Sequence, residues 1–234
     1  SIIEELSEKH GVYTHHAWGM TETSPLGVFN TLKPGMENLP KESLDAIKLK
    51  QGRPLFGVDL RIVDDSGEPQ PWDGESTGEV RVRGNWVCSG YYRQEDTGSH
   101  DENGYFCTGD VASVDADGYM RITDRTKDII KSGGEWISSI ELENAAVDHP
   151  SVAEAAVIGI PHPKWSERPL LIIVKEYNTD LSAEEILAYL SDKVAKWWLP
   201  DDVEFVNEIP HTATGKISKK DLRKKFADLV SGAS

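Results

Sequence analysis

Several things are scarce in this 234-residue chain, and each absence excludes something. No run of eighteen apolar residues occurs, so no segment reads as a membrane span, and no charged-then-apolar stretch reads as a signal peptide. There are only two cysteines, Cys88 and Cys107, at a spacing that suits neither a metal nor a redox motif, so a reduced, cytoplasmic setting is expected. Basic residues are outnumbered 25 to 40 by acidic ones. The resulting net charge of −15 argues against a nucleic-acid binder, which needs a basic face to displace counterions. His15-His16 has no third ligand at useful spacing and reads as a strand-end pair. The one Gly-Lys loop, PHTATGK (Pro210 to Lys216), is not a Walker loop, because its first glycine is missing and Ile217 follows the lysine.

What remains is ordinary globular material, 38% hydrophobic and 28% charged, enough for one large domain or two modest ones. It opens at Ser1 in a helical pattern (Ile2, Ile3, Leu6), which reads as the edge of a longer chain. Gly11 to Ala17 is expected to be a strand running into WGMTET, and Lys41 to Lys50 a short helix. From Gly52 to Thr123 short alternating strands (Val58-Leu60-Ile62, Val80-Val82, Tyr119 to Thr123) are punctuated by DDSG and DADG turns. That pattern predicts a small antiparallel barrel or sandwich. Past Lys127 the period changes. Capping boxes at Ser138/Glu141 and Ser182/Glu185 open helices, Val152 to Ile160 and Leu170 to Lys175 are apolar strands, and Val203 to Val206 is a short one. A last helix from Ser218 buries Leu222, Phe226 and Leu229. The fold class is thus mixed α+β: the end of an α/β region with a β-barrel subdomain (1–124), a hinge (125–128) and a compact α+β domain (129–234). Ile122 to Trp136, ITDRTKDIIKSGGEW, is the joint between them.

Three places carry chemistry on their own terms. In WGMTET, Thr21 and Thr23 can donate to phosphate oxygens and Glu22 is a hard ligand suited to Mg²⁺; the alternative is a surface turn. In GYFCTGD, Asp110 follows a glycine turn and can accept from a ribose diol, or simply close a β-turn. Lys216 is a compact cation on an exposed loop, able to reach phosphate or carboxylate oxygens. From Lys216 to Lys225 six basic residues face one acidic, a run read mostly as a solvated helix face. Trp197-Trp198 reads as core and domain-edge packing at the end of a helix.

Taken together, WGMTET, GRP, GEVRVRG, GYFCTGD, ITDRTKDIIKSGGEWIS, IPHPKWSERP and TATGK, in this order and across the whole chain, resemble the adenylate-forming (AMP-binding) superfamily. The resemblance implies an ATP-dependent acid–CoA ligase that forms an acyl-adenylate and then a thioester by rotating its C-terminal domain. It implies ATP, Mg²⁺ and coenzyme A as reactants and cofactors, with a small carboxylic acid as substrate. Residue by residue, Trp18 and Gly19 would lie at the adenine, Thr21 at the AMP phosphate and Glu22 at Mg²⁺. Asp110 would bind the ribose, Arg125 the ribose or phosphate, and Lys127 would mark the hinge. Lys216 would stabilise charge as the carboxylate attacks the α-phosphate. Gly133, Gly134, Glu135 and Trp136 would line a pantetheine tunnel, with Lys131 beside them either catalytic in the second step or merely solvated.

The family's upstream phosphate loop and most of its acyl pocket are not in these residues, so the chain resembles the C-terminal part of such an enzyme. PHPKWSERP and KSGGEWISS resemble fatty-acid ligases, especially the 3-(methylthio)propionate–CoA ligase group. The alternatives are an adenylation domain of a peptide synthetase and a non-catalytic relative that kept the fold. The particular acid and any homodimer stay open.

Overall fold

Two stretches of different periodicity fold into two compact units, Ser1–Thr126 and Lys127–Ser234, in a computed structural model that describes residues 2–94, 98–213 and 215–226. Among the described residues no helix is long and apolar enough to cross a membrane.

The first unit begins with α1 (Ile2–His10), closed by the Gly11 and Val12 amides returning to the Ser7 and Leu6 carbonyls. The strand expected over Gly11 to Ala17 shrinks to β1 (Ala17–Trp18). A strand extends only as far as a partner offers hydrogen bonds, and β2 (Val28–Phe29) offers two residues, so Val12 and Tyr13 are left about half exposed. After α2 (Lys41–Lys48), β3 (Arg53–Pro54) completes a three-stranded sheet on the other side of β2. Then β4 (Val58–Val63), β5 (Thr77–Gly84), β6 (Phe106–Val114) and β7 (Met120–Arg125) form an antiparallel meander in chain order. The turns work as their aspartates dictate: Asp64 accepts from the Ser66 and Glu68 amides, and Asp115 from those of Asp117 and Tyr119. Alternate residues Val58, Leu60, Ile62, Val80 and Val82 turn inward and share one apolar cluster with Trp18 and Val28 of the small sheet.

The second unit starts with the hairpin β8 (Ile130–Ser132) and β9 (Glu135–Ile137), then α3 (Ser139–Val147). The long hairpin β10 (Val152–His162) and β11 (Ser166–Lys175) follows, then α4 (Ala183–Ser191), β12 (Asp202–Phe205) and α5 (Lys219–Lys225). The sheet runs β10-β11-β8-β9, with β12 parallel to β11. Its central strands are apolar on both faces for a reason: Val157, Leu171 and Ile173 pack with Leu142 of α3 and Ile186 and Leu190 of α4, whereas Ala156, Ile158, Leu170 and Ile172 pack with Leu222 of α5. Ser138 and Ser182 each accept the amide three residues on, at 3.1 Å, which starts α3 and α4. Leu222 is buried and Phe226 packs on the same cluster, while Leu229 lies outside the described residues.

Leu142 is fully buried between sheet and helices. Leu142→Ala should therefore lower unfolding free energy by about 3 kcal/mol, against about 1 kcal/mol for loss of the cap in Ser138→Ala. Urea denaturation of the purified protein measures both, and the reverse order would contradict this packing.

Candidate functional site

The expected glycine turn before Asp110 is instead a bulge within a strand. Arg81 pairs with Cys107 and Glu79 with Val111, so Thr108, Gly109 and Asp110 together face Val80. Gly109 has φ +71, and the Thr108 hydroxyl both donates to the Val80 carbonyl at 2.7 Å and accepts the Asp110 amide at 3.1 Å. The bulge turns the Asp110 side chain inward, where it is 4% exposed. Two donors meet it: the Trp18 indole Nε1 at 2.8 Å on Oδ2, and Arg125 Nε at 2.7 Å on Oδ1. Trp18, expected against an adenine, is a core residue 7% exposed whose indole bonds Asp110. Arg125, across the ladder from Asp110, keeps about half of its side chain in solvent.

From Trp18 the chain turns through a single 3₁₀ turn, Thr21–Thr23. Gly19 is forced here, since a Cβ on it would sit 1.9 Å from the Pro25 carbonyl oxygen. Thr21 is exposed, as a phosphate donor must be. Thr23 is not available as one: it is fully buried, its hydroxyl bonded within the turn to Met20 and Pro25. That expectation is corrected, because the first hydroxyl faces out and the second builds the scaffold. Glu22 is partly exposed; its carbonyl accepts the Cys88 amide and its Oε1 accepts the Tyr91 hydroxyl, both at 2.8 Å. The bond to Glu22 holds the Tyr91 hydroxyl above the usual phenol range. Among the described residues no group of three His, Cys, Asp or Glu could hold a metal alone.

The joint is pinned on both sides. The Thr126 amide donates to the Gly109 carbonyl at 2.9 Å within the first unit. Within the second, Arg223 Nη2 donates to the Lys127 carbonyl and to Asp128 Oδ1, each at 2.9 Å. Lys219 likewise points inward, to Glu143 at 2.7 Å and Ser139 at 2.6 Å, so the basic run is only in part a solvated face.

KSGGEW folds as a tight hairpin. Gly133 and Gly134 have φ +62 and +91, the positive pair that a two-residue type I′ turn demands. The tip meets the PHPKWSERP motif, which spans the end of β10, the turn and the start of β11: the Gly133 amide donates to the Trp165 carbonyl at 2.8 Å, and the Lys131 amide to Glu167 at 3.0 Å. The Lys131 ammonium lies 5.3 Å from the Trp136 ring centre. A cleft of about 600 Å³ opens between Ser132, Gly133, Glu135, Trp165, Arg168, Trp197 and Asp201. Trp136 is partly buried and is not among those residues. The tryptophan pair divides between core and edge as expected: Trp198 packs on the core cluster, and the partly exposed Trp197 lines the cleft. Arg168, missed in the sequence, ties the wall together, donating to Ser132, Asp201 and the carbonyls of Trp197 and Leu199. Its motif was visible, but its reach to four partners in two other segments was not.

Lys216 is exposed on a closed loop: the Thr212 amide donates to the Lys216 carbonyl at 2.7 Å, and the Lys216 amide to the Thr212 hydroxyl at 3.2 Å. At its base His211 and Ile217 form a β-bridge, and His211 Nε2 lies 2.6 Å from Glu154 of β10. Thr214 lies outside the described residues.

The chain is similar in sequence and fold to known proteins. Residues 1–92 match the family model for AMP-binding enzymes, and residues 141–216 that for the AMP-binding enzyme C-terminal domain. The chain is 53% identical over 232 residues to the 3-methylmercaptopropionyl-CoA ligase of Ruegeria lacuscaerulensis, covering 99% of this chain and 43% of that protein. It is 50% identical over 235 residues to the medium-chain-fatty-acid–CoA ligase of Ectopseudomonas oleovorans, covering 100% of this chain and 43% of that protein. The ATP-bound crystal structure of MatB from Rhodopseudomonas palustris superposes with a TM-score of 0.80 at 28% identity, covering 97% of this chain and 43% of that one. The o-succinylbenzoate CoA synthetase of Bacillus subtilis, in complex with its acyl-adenylate OSB-AMP, gives 0.78 at 31%, covering 95% and 43%. The chain thus spans about 43% of the length of these curated relatives.

The backbone demands at Gly109 and Gly19 differ in kind. Nothing lies within 4 Å of a Cβ at Gly109, so Gly109→Ala meets only the positive-φ penalty and should cost about 1 kcal/mol. Gly19 has no positive φ, but Gly19→Ala must push the Pro25 carbonyl away and should cost more. Equal unfolding midpoints for the two variants would contradict the close approach at Gly19.

Proposed function

The chain belongs to the AMP-binding enzymes, and on that premise we propose that it is the C-terminal part of an ATP-dependent acid–CoA ligase. The carboxylate attacks the α-phosphate of ATP to give acyl-AMP and pyrophosphate; the thiol of CoA then displaces AMP to give the acyl-CoA. The observation that carries this reading is the Trp18–Asp110–Arg125 cluster. A carboxylate that takes one donor on each oxygen keeps a lone pair on each for a ribose diol. The half-free Arg125 guanidinium suits a ribose or phosphate oxygen. Thr21 donates to the phosphate from its exposed turn, beside Gly19.

Glu22 fits Mg²⁺. It is one partly exposed hard-oxygen ligand without a surrounding acidic cage, and Mg²⁺ takes one or two carboxylates and completes its shell with phosphate oxygens and water. When bound, the ion would screen the phosphate charge that repels an incoming carboxylate. Lys216 brings the second positive charge to that step. Its loop is closed by hydrogen bonds and anchored to β10, so the ammonium is presented on a formed support.

The thioester step needs a path for the thiol and withdrawal of Lys216. The two pins at the joint support a hinge: Thr126 N is tied to the first unit and the Lys127 carbonyl to the second, so rotation is confined to the torsions between them. The cleft at the Gly133–Gly134 hairpin, with Glu135 on its wall and Trp165, Trp197 and Arg168 around it, suits CoA, and Trp136 and Lys131 brace the hairpin behind it. The acid is a fatty or methylthio-alkanoic one, in line with the names of the relatives, and the setting is cytoplasmic.

In the complete enzyme, Lys216→Ala should lower ATP–pyrophosphate exchange by ~100-fold or more, yet spare thioester formation from supplied acyl-AMP, followed by mass spectrometry. An equal fall in both half-reactions would refute the role given to Lys216. Trp165→Ala should raise the KM for CoA about tenfold, equivalent to ~1.4 kcal/mol, and leave exchange unchanged. Loss of exchange with an unaltered KM for CoA would remove the cleft from the mechanism.

A further inference from the structure

Glu22 is gripped by one segment at two points, and the family reading uses neither. The Cys88 amide holds its carbonyl and the Tyr91 hydroxyl holds its Oε1, each at 2.8 Å. The segment that delivers them is itself fixed: Trp86 Nε1 donates to the Leu26 carbonyl at 3.1 Å, and His100 Nε2 bonds the Cys88 carbonyl at 2.9 Å. Trp86, Val87 and Cys88 pack against the core of the meander. The adjacent ring is a contrast. Tyr92 is 85% exposed, whereas Tyr91 is 41% exposed with its hydroxyl turned onto the carboxylate.

We propose that Tyr91 is a positioning residue for the metal, its hydroxyl occupying Oε1 so that Glu22 offers Oε2 in a fixed direction to a divalent cation carried by ATP. This rests on the reading of Glu22 as the Mg²⁺ ligand. An exposed Tyr–Glu hydrogen bond contributes little to stability. Ligating carboxylates, by contrast, are commonly oriented by a second hydrogen bond, and losing that partner typically weakens metal binding about 10- to 100-fold. A side chain with free χ rotation must be ordered by the ion; one already held has lost that freedom.

The test is equilibrium binding by calorimetry, in the complete enzyme, of α,β-methylene ATP with Mg²⁺ and with EDTA. Tyr91→Phe should reduce the affinity gained from Mg²⁺ about tenfold and leave metal-free binding unchanged. In a Glu22→Gln background, Tyr91→Phe should add no further loss. The proposal is overturned if Tyr91→Phe keeps the full Mg²⁺ gain while Glu22→Gln loses it, or if Tyr91→Phe weakens metal-free binding by the same factor. If Glu22→Gln itself keeps the gain, the reading of Glu22 fails first, and that outcome is distinct from the other two.

Discussion

A carboxylate with 4% of its surface exposed must be answered by donors, because an unpaired buried charge costs several kcal/mol. Asp110 is answered by an indole from β1 and a guanidinium from β7, while its own strand bulges to turn it inward. The hairpin of β6 and β7 is thereby fixed to β1, some ninety residues earlier in the chain, at the edge where the chain leaves the first unit. The Thr21–Thr23 turn begins three residues after Trp18, and Arg125 ends β7 one residue before the first unit ends at Thr126. Thr21, Glu22 and Arg125, the side chains of this unit proposed to meet the nucleotide and its metal, lie on the elements held by that buried carboxylate or in the turn next to them.

The second unit solves a different problem. Its sheet is covered by helices on both faces, which accounts for runs such as Ala155 to Ile158 and Leu170 to Ile173 with no polar alternation. Chemistry is then left to what protrudes from a rigid sheet. Two hairpin tips, bonded through Gly133 and Trp165, make the cleft, and a hydrogen-bonded loop on the His211–Glu154 pair presents Lys216. Sites on loops held by a stiff scaffold combine variability with precision.

Local rules carried far in reading the sequence. The Asp-led turns, the serine caps of α3 and α4, the glycine pair of the β8–β9 hairpin and the inward alternation of Val58, Leu60 and Ile62 are all short-range consequences of residue type. Misreadings came where a residue's fate depends on a distant partner. Val12 and Tyr13 have strand propensity but lie beyond the reach of a two-residue partner strand. Thr21 and Thr23 are the same residue type two positions apart, and only the turn's packing makes one exposed and the other buried. Trp197 and Trp198, by contrast, divide between cleft and core as expected.

Sequence alone determined which elements form, where the chain changes character and which side chains are chemically able to serve, since these follow from composition, period and residue type. Tertiary structure decided that Trp18 bonds Asp110, that Tyr91 holds Glu22, that Arg223 anchors the joint and that Arg168 closes the cleft. Each of those is a bond between residues tens of positions apart. Its formation depends on where sheets bring their edges together, which no window of local sequence contains.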